Sequence, residues 1–265
     1  MSRQLEIVVL AYDCVDITWR CLVHLFAFAP KDAGIILFDN GSKDTTPKIG
    51  HWLRETGRGR YLRSEFNIGI FAAWNATLRA LNEDPPQYVA FLNNDICIRE
   101  ETFPEMLMVA SRGHPIVCAK QHGNHGDPVM DPTVLTGPLP EPRTYSEDYM
   151  LSAFMVDWSL FDKIGRFDEN FLMEYADTDF CLRAFRAGHV PIIAERAFVY
   201  HGGSVTRKRK HTIDSDLNYS FADRDAFARK YHGDADALRL IPKLSDEELR
   251  SHRIKEWSDG EMVAP

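Results

Sequence analysis

With 265 residues, 45% apolar and 26% charged, the chain is long enough for one large domain or two closely packed halves around a substantial core. Thirty-nine acidic against 31 basic side chains leave a formal charge of -8, which argues against a general nucleic-acid binder. No apolar run reaches the roughly 18 residues of a membrane span, and Met1–Glu6 lacks the apolar stretch of a secretory signal. The five cysteines (Cys14, Cys21, Cys97, Cys118 and Cys181) are scattered, with no C-x-x-C, as expected for reduced thiols in a cytoplasmic protein.

Strand and helix signals alternate along the first hundred residues. Leu5–Ala11 is a short apolar strand. Val15–Ala29 has helical spacing (Ile17, Cys21, Leu22, Leu25, Phe28) and stops at Pro30. Ile35–Phe38 is a second buried strand, closed by Asp39-Asn40-Gly41-Ser42, and Asp44–Arg54 follows as a helix. Tyr61–Arg63 reads as a short strand, Asn67-Ile68-Gly69 as a turn, and the next helix runs to Leu81. Tyr88–Leu92 is another buried strand, ending at Asn93-Asn94-Asp95. Strands separated by helices of this length predict crossover units and a mostly parallel sheet.

Beyond Glu100, Phe103–Arg112 predicts a helix and Ile116–Ala119 a strand. Residues 121–148 hold five prolines and predict a long loop. Leu151–Val156 reads as a strand, Asp177–Ala187 as a helix stopped by Gly188, Ile192–Tyr200 as one or two strands, and Asn218–Tyr231 as a helix. The tail from about 243 has one short helical stretch, Asp246–Trp257. The resulting division is a first half (1–100), a second half of the same domain (101–235) and a tail (236–265).

Three polar clusters close successive strands: Ala11-Tyr12-Asp13, Asp39-Asn40-Gly41-Ser42 and Asn93-Asn94-Asp95. Each alone is ordinary turn chemistry. In an open parallel sheet, however, ligands bind beyond the carboxyl ends of the strands, and three such clusters predict a shared ligand rim.

Six segments in order resemble family 2 glycosyltransferases. Phe38–Asp44 resembles "D-D/N-G-S-x-D", Asn67–Asn75 resembles "N-x-G-x-x-x-A-x-N", and Leu92–Asp95 resembles the "L-N-x-D" form found in the rhamnosyltransferase-like branch. Ile164–Phe171 is similar to "v-G-g-F-D-e-x-f-F", Asp177–Arg183 to "D-x-D-l-x-x-R", and Val199–Ser204 to "H-x-x-x-S". The chain departs from the pattern at Ala176, where Glu is usual, at Asn93, which replaces the first Asp of D-x-D, and at Asp13, where Asn is usual. The resemblance implies an α/β fold of glycosyltransferase A type, with 1–100 as the nucleotide-sugar-binding half and 101–235 as the acceptor-binding and catalytic half of the same domain. The implied reaction is inverting transfer of a sugar from a nucleotide-diphosphate sugar, of UDP or dTDP type, to an acceptor hydroxyl. The acceptor could be a glycan, a lipid-linked glycan, a protein or a modified nucleic acid.

The resemblance also assigns roles. Asp95 and His201 are the expected ligands of a divalent metal on the diphosphate, and the histidine nitrogen tilts the choice toward Mn²⁺ over Mg²⁺. Ala11, Asp13, Asp39, Asn67, Asn75 and Asn94 are expected on the nucleotide side. Asp177 matches the general base that takes the acceptor proton. Asp179 and Glu174 are supporting carboxylates, and Trp158 and Tyr175 are candidate acceptor contacts. Arg207, Lys208, Arg209 and Lys210 form a candidate loop closing over the donor. Two other readings stay open. A nucleotidyltransferase would use similar strand-end carboxylates, though residues 11–16 lack its Gly-rich basic loop. A catalytically silent nucleotide- or carbohydrate-binding protein would accord with Ala176 and Asn93.

Overall fold

The computed structural model describes residues 3–122, 143–144, 151–203 and 213–234. Nine strands form one sheet: β1 (Leu5–Ala11), β2 (Gly34–Asp39), β3 (Gly59–Arg63), β4 (Tyr88–Asn93), β5 (Ile96–Ile98), β6 (Ile116–His122), β7 (Arg143–Thr144), β8 (Ala153–Asp157) and β9 (Ile192–His201). Their order is β3-β2-β1-β4-β8-β6-β9-β5, with β7 added on β9. The first four strands are parallel, and β8 enters antiparallel to β4. The sheet therefore passes without a break from the first half of the chain into the second.

Among the described residues seven helices cover it: α1 (Val15–Phe28), α2 (Thr46–Glu55), α3 (Ile70–Leu81), α4 (Thr102–Ala110), α5 (Trp158–Ile164), α6 (Ala176–Arg186) and α7 (Ile213–Lys230). Strand side chains alternate between faces, so Ile7 and Val9 on β1 and Ile35 and Leu37 on β2 join one core with α1, α2 and α4. Val8, Leu10, Ile36 and Phe38 join the other core, with α3, α5, α6 and α7. Both faces are dry, which is why the strands read as continuous apolar runs rather than alternating ones. Trp74, Phe91, Phe154, Phe167 and Phe180 pack ring on ring in the second core. Burial of each such side chain contributes about 1.5–3 kcal/mol.

Several boundaries and elements differ from expectation. Asp44 precedes α2 rather than opening it, because its carboxylate caps two helices: Oδ2 accepts from Val15 N–H at 2.9 Å and Oδ1 from Thr46 N–H at 2.9 Å. β5 and α5 were not expected. Three residues after an Asn-Asn-Asp turn are too few to show a period, and α5 spans only seven residues, started by the Asp157 cap to Ser159. Within the predicted 121–148 loop, Gln121 and His122 instead continue β6, and Arg143–Thr144 pair with β9. α7 begins five residues earlier than Asn218. The predicted tail helix lies outside the described residues.

Candidate functional site

The rim forms where β1, β2 and β4 end side by side, with Ala11 paired to Asp39 and Leu10 to Asn93. On the β1–β2 side the polar side chains bond mainly to one another's loops. Asp13 Oδ1 accepts from the N–H groups of Lys43 (2.6 Å) and Asp44 (3.0 Å), and Asp13 N–H donates to Ser42 Oγ (2.8 Å). Asp13 and Cys14 both have left-handed backbones (φ 52° and 55°), a costly geometry for non-glycine residues that these bonds hold in place. Asp39 is fully buried. It accepts from Ser42 N–H at 2.8 Å, from Tyr61 Oη at 2.7 Å and from Arg63. Burial pushes the Tyr61 hydroxyl up to about 12, so it stays a donor to Asp39.

Asn40 and Asn67 tie this loop to the next. The Asn40 amide donates to Asn67 Oδ1 (3.0 Å) and accepts from Ile68 N–H (2.9 Å). Gly41 is required between them: its φ is +80°, and a Cβ there would lie 2.5 Å from the Phe66 carbonyl carbon. Asn75 faces away from this loop, exchanging bonds with the Phe167 backbone (2.8 and 3.2 Å) and donating to Glu169 (2.9 Å). The Ala11 carbonyl accepts from Asn40 N–H (2.8 Å), and the Asn94 amide donates to Thr18 Oγ1 (3.0 Å). The expected nucleotide residues thus build the shape of the rim, Asn75 more remotely than the others.

At the end of β4 the unexpected strand β5 decides the geometry. Its antiparallel register sets Ile96 opposite His201, and Gly202 N–H donates to the Asp95 carbonyl at 3.0 Å. Asp95 and His201, 106 positions apart, come together with Nε2 at 3.3 Å from Oδ1, both buried. Gln121 Oε1 lies 3.0 Å from His201 Nδ1. The Gln121 amide oxygen can accept from Nδ1, and Nε2 is turned toward the carboxylate. A carboxylate oxygen and an imidazole nitrogen so placed could both reach one divalent cation. Among the described residues no third His, Cys, Asp or Glu joins them, so remaining ligands would come from diphosphate oxygens and water.

Asp177 reaches the same rim from α6. The first residues of the β8 segment are the bridge: Ser152 O accepts from Asn93 N–H (3.1 Å), and Leu151 N–H lies 3.5 Å from Asp177 Oδ2. Thr178 N–H adds one bond at 2.9 Å. No side chain among those described donates to Asp177. Burial pushes its carboxyl above the usual carboxylate range, against those two N–H groups and its own, and the Glu174 charge pushes in the same direction as burial.

Asp179, two residues on, is wholly buried and built into the frame. Arg183 and Tyr231 donate to it at 2.8 and 2.7 Å, and Lys230 pairs with it. Tyr175, just before α6, has φ 64° and packs on Phe227. Trp158 is a correction. β8 runs antiparallel to β4, so its far end meets the start of β4, and Trp158 N–H donates to Gln87 O there, away from the rim. Arg207–Lys210 lie outside the described residues. Asp223 was missed altogether. It accepts from three consecutive backbone N–H groups, of Leu172, Met173 and Glu174, at 2.7–2.9 Å, and no spacing in the sequence marks it.

Residues 6–167 match the family description "Glycosyl transferase family 2". The chain belongs to that family. Its fold is of glycosyltransferase A type, as the solved structures similar to it show. The 1–349 portion of S. aureus TarS in complex with UDP-GlcNAc superposes with a TM-score of 0.62 at 16% identity, over 89% of this chain and 69% of that one. GalNAc-T7 with UDP, GalNAc and Mn²⁺ gives 0.63 at 12% identity, over 90% of this chain and 54% of that one. Against the longer TarS structure the match spans 41% of that chain. No curated protein matches. Among the described residues no helix is long and apolar enough to cross a membrane.

Proposed function

We propose that this family 2 member is an inverting glycosyltransferase that moves a sugar from a UDP- or dTDP-type donor to an acceptor hydroxyl. Two observations support the reading: Asp95 meets His201 just beyond β4, and Asp177 bonds to Leu151, the neighbour of Ser152, whose carbonyl accepts from Asn93 at the end of β4. The nucleotide complexes of TarS and GalNAc-T7 support a nucleotide-sugar donor, and the Mn²⁺ in the latter supports a metal held by Asp95 and His201. Such a metal would supply charge neutralisation on the departing diphosphate.

The chain's own residues do the rest. The bonded loops at Asp13, Asp39 and Asn40 hold the donor shelf in one shape before substrate arrives. Asp177 accepts the acceptor hydroxyl proton as that oxygen attacks the anomeric carbon. The bond from carbon to the diphosphate oxygen breaks on the opposite face, and its electron pair leaves with the diphosphate. The raised proton affinity of Asp177 makes it a stronger base than an exposed carboxylate.

The test is turnover of UDP- and dTDP-sugars with Mn²⁺ by wild type and Asp177→Asn. We expect the variant to bind nucleotide normally and lose about 100-fold or more of its transfer rate. Undiminished transfer would remove Asp177 from the role, and nucleotide binding without turnover of any donor by wild type would leave a silent binding protein.

A further inference from the structure

Asp177 sits in a segment gripped from both sides by a single helix. On one side, Asp223 of α7 is buried and takes three consecutive backbone N–H groups, Leu172 (2.9 Å), Met173 (2.7 Å) and Glu174 (2.9 Å). On the other, Tyr231 Oη donates to Asp179 at 2.7 Å, and Lys230 bridges Asp179 and Asp168, the latter at 2.8 Å. Between the two grips the chain passes through Tyr175 in a left-handed conformation. That backbone is held because Asp223 fixes the three residues before it and α6 fixes those after it. The turn is also anchored to α3 through Ile70 N–H and Leu172 O (3.2 Å).

We propose that Asp223 is a positioning residue for sugar transfer: it sets where Asp177 stands relative to the acceptor oxygen. The proposal rests on reading Asp177 as the base. A carboxylate has enough lone pairs for three N–H donors, and an amide does not. Asn at 223 would offer one oxygen and turn an N–H₂ toward a backbone N–H. The turn would relax, and α6 with Asp177 would shift by a fraction of an ångström or more. Displacement of about 1 Å at a distance from the chemistry can cost about 100-fold in rate. Asp223 itself bonds the 172–174 turn and not the β1, β2 or β4 ends, and that turn meets the donor side through Leu172 O and Ile70 N–H, so kcat is expected to fall by much more than donor KM rises.

The experiment measures kcat and donor KM for Asp223→Asn, beside Asp177→Asn, with backbone hydrogen exchange at 172–174. The expected result is kcat lower by about 10- to 100-fold at a donor KM within about twofold of wild type, with faster exchange at those three amides. Wild-type kcat in a folded Asp223→Asn protein overturns the proposal, as does a raised KM at unchanged kcat. If Asp223→Asn does not fold, Asp223→Glu keeps the charge and both oxygens but displaces them by one methylene. Lower kcat at unchanged donor KM then supports the proposal, and wild-type kcat overturns it. Asp177→Asn separates the two readings: if it stays active, the base assignment fails, whereas an inactive Asp177→Asn beside a fully active Asp223→Asn leaves the base in place and removes the positioning role.

Discussion

The two sides of the rim treat their carboxylates in opposite ways. Along β1 and β2, Asp13, Asp39 and Asp44 each accept two or more hydrogen bonds from neighbouring loops. At the start of α6, Asp177 receives the N–H groups of Thr178, Leu151 (at 3.5 Å) and its own residue, and burial still pushes it toward protonation. The difference teaches how to separate scaffold from chemistry in an acidic site. A carboxylate whose bonds join loops distant in sequence is a strut, whereas one whose desolvation outweighs its bonds retains the proton affinity that a base requires.

The sharpest way to break this comparison lies within two residues of α6. Replacing Asp179 with Ala would strand Arg183, Lys230 and the Tyr231 hydroxyl around an empty position. We expect a loss of about 3 kcal/mol or more, read by chemical denaturation. Asp177→Asn should leave stability at neutral pH unchanged or higher, because it removes a half-buried, partly desolvated charge that the fold does not need. Equal losses at both positions would erase the distinction.

A smaller effect is expected on the donor side. Gly41→Ala must place a Cβ against the Phe66 backbone at φ +80°. It should cost about 1–2 kcal/mol in melting experiments and raise donor KM more than it lowers kcat, because it disturbs the shelf and not the base.

The smallest expected shift is in pH. Transfer needs Asp177 ionised, and its folded proton affinity is raised, so the acid limb of kcat should lie above the ordinary carboxylate range of about 4. The sign for stability is the reverse of the usual acidic residue. A raised folded value means that Asp177 favours the folded state below its unfolded value, and this contribution fades as pH climbs through the folded one. An acid limb at the ordinary position would sharpen the view that water reaches Asp177 in the working enzyme.

Much of the architecture is legible along the chain. β1, β2 and β4 stand out because strands buried on both faces are continuous apolar runs, and α1, α3 and α6 because their apolar residues recur at helical spacing. β5 and α5 escaped detection because three and seven residues carry no measurable period. The importance of α7 was not visible either. Its boundaries were partly foreseen, but a lone Asp223 among polar neighbours looks like solvated surface until the turn it holds is seen.

Local chemistry written in the chain determined which residue types stand at each strand end, and so which carboxylates, amides and histidine were available to a ligand. Only the tertiary structure decided their use, because hydrogen-bond saturation and burial depend on which distant segments meet. Asp95 finds His201 only through the β5–β9 register, Asp39 is enclosed only because β3 brings Tyr61 and Arg63 beside it, and among the described residues Asp177 takes backbone donors while Asp179 is filled by the side chains of Arg183, Lys230 and Tyr231.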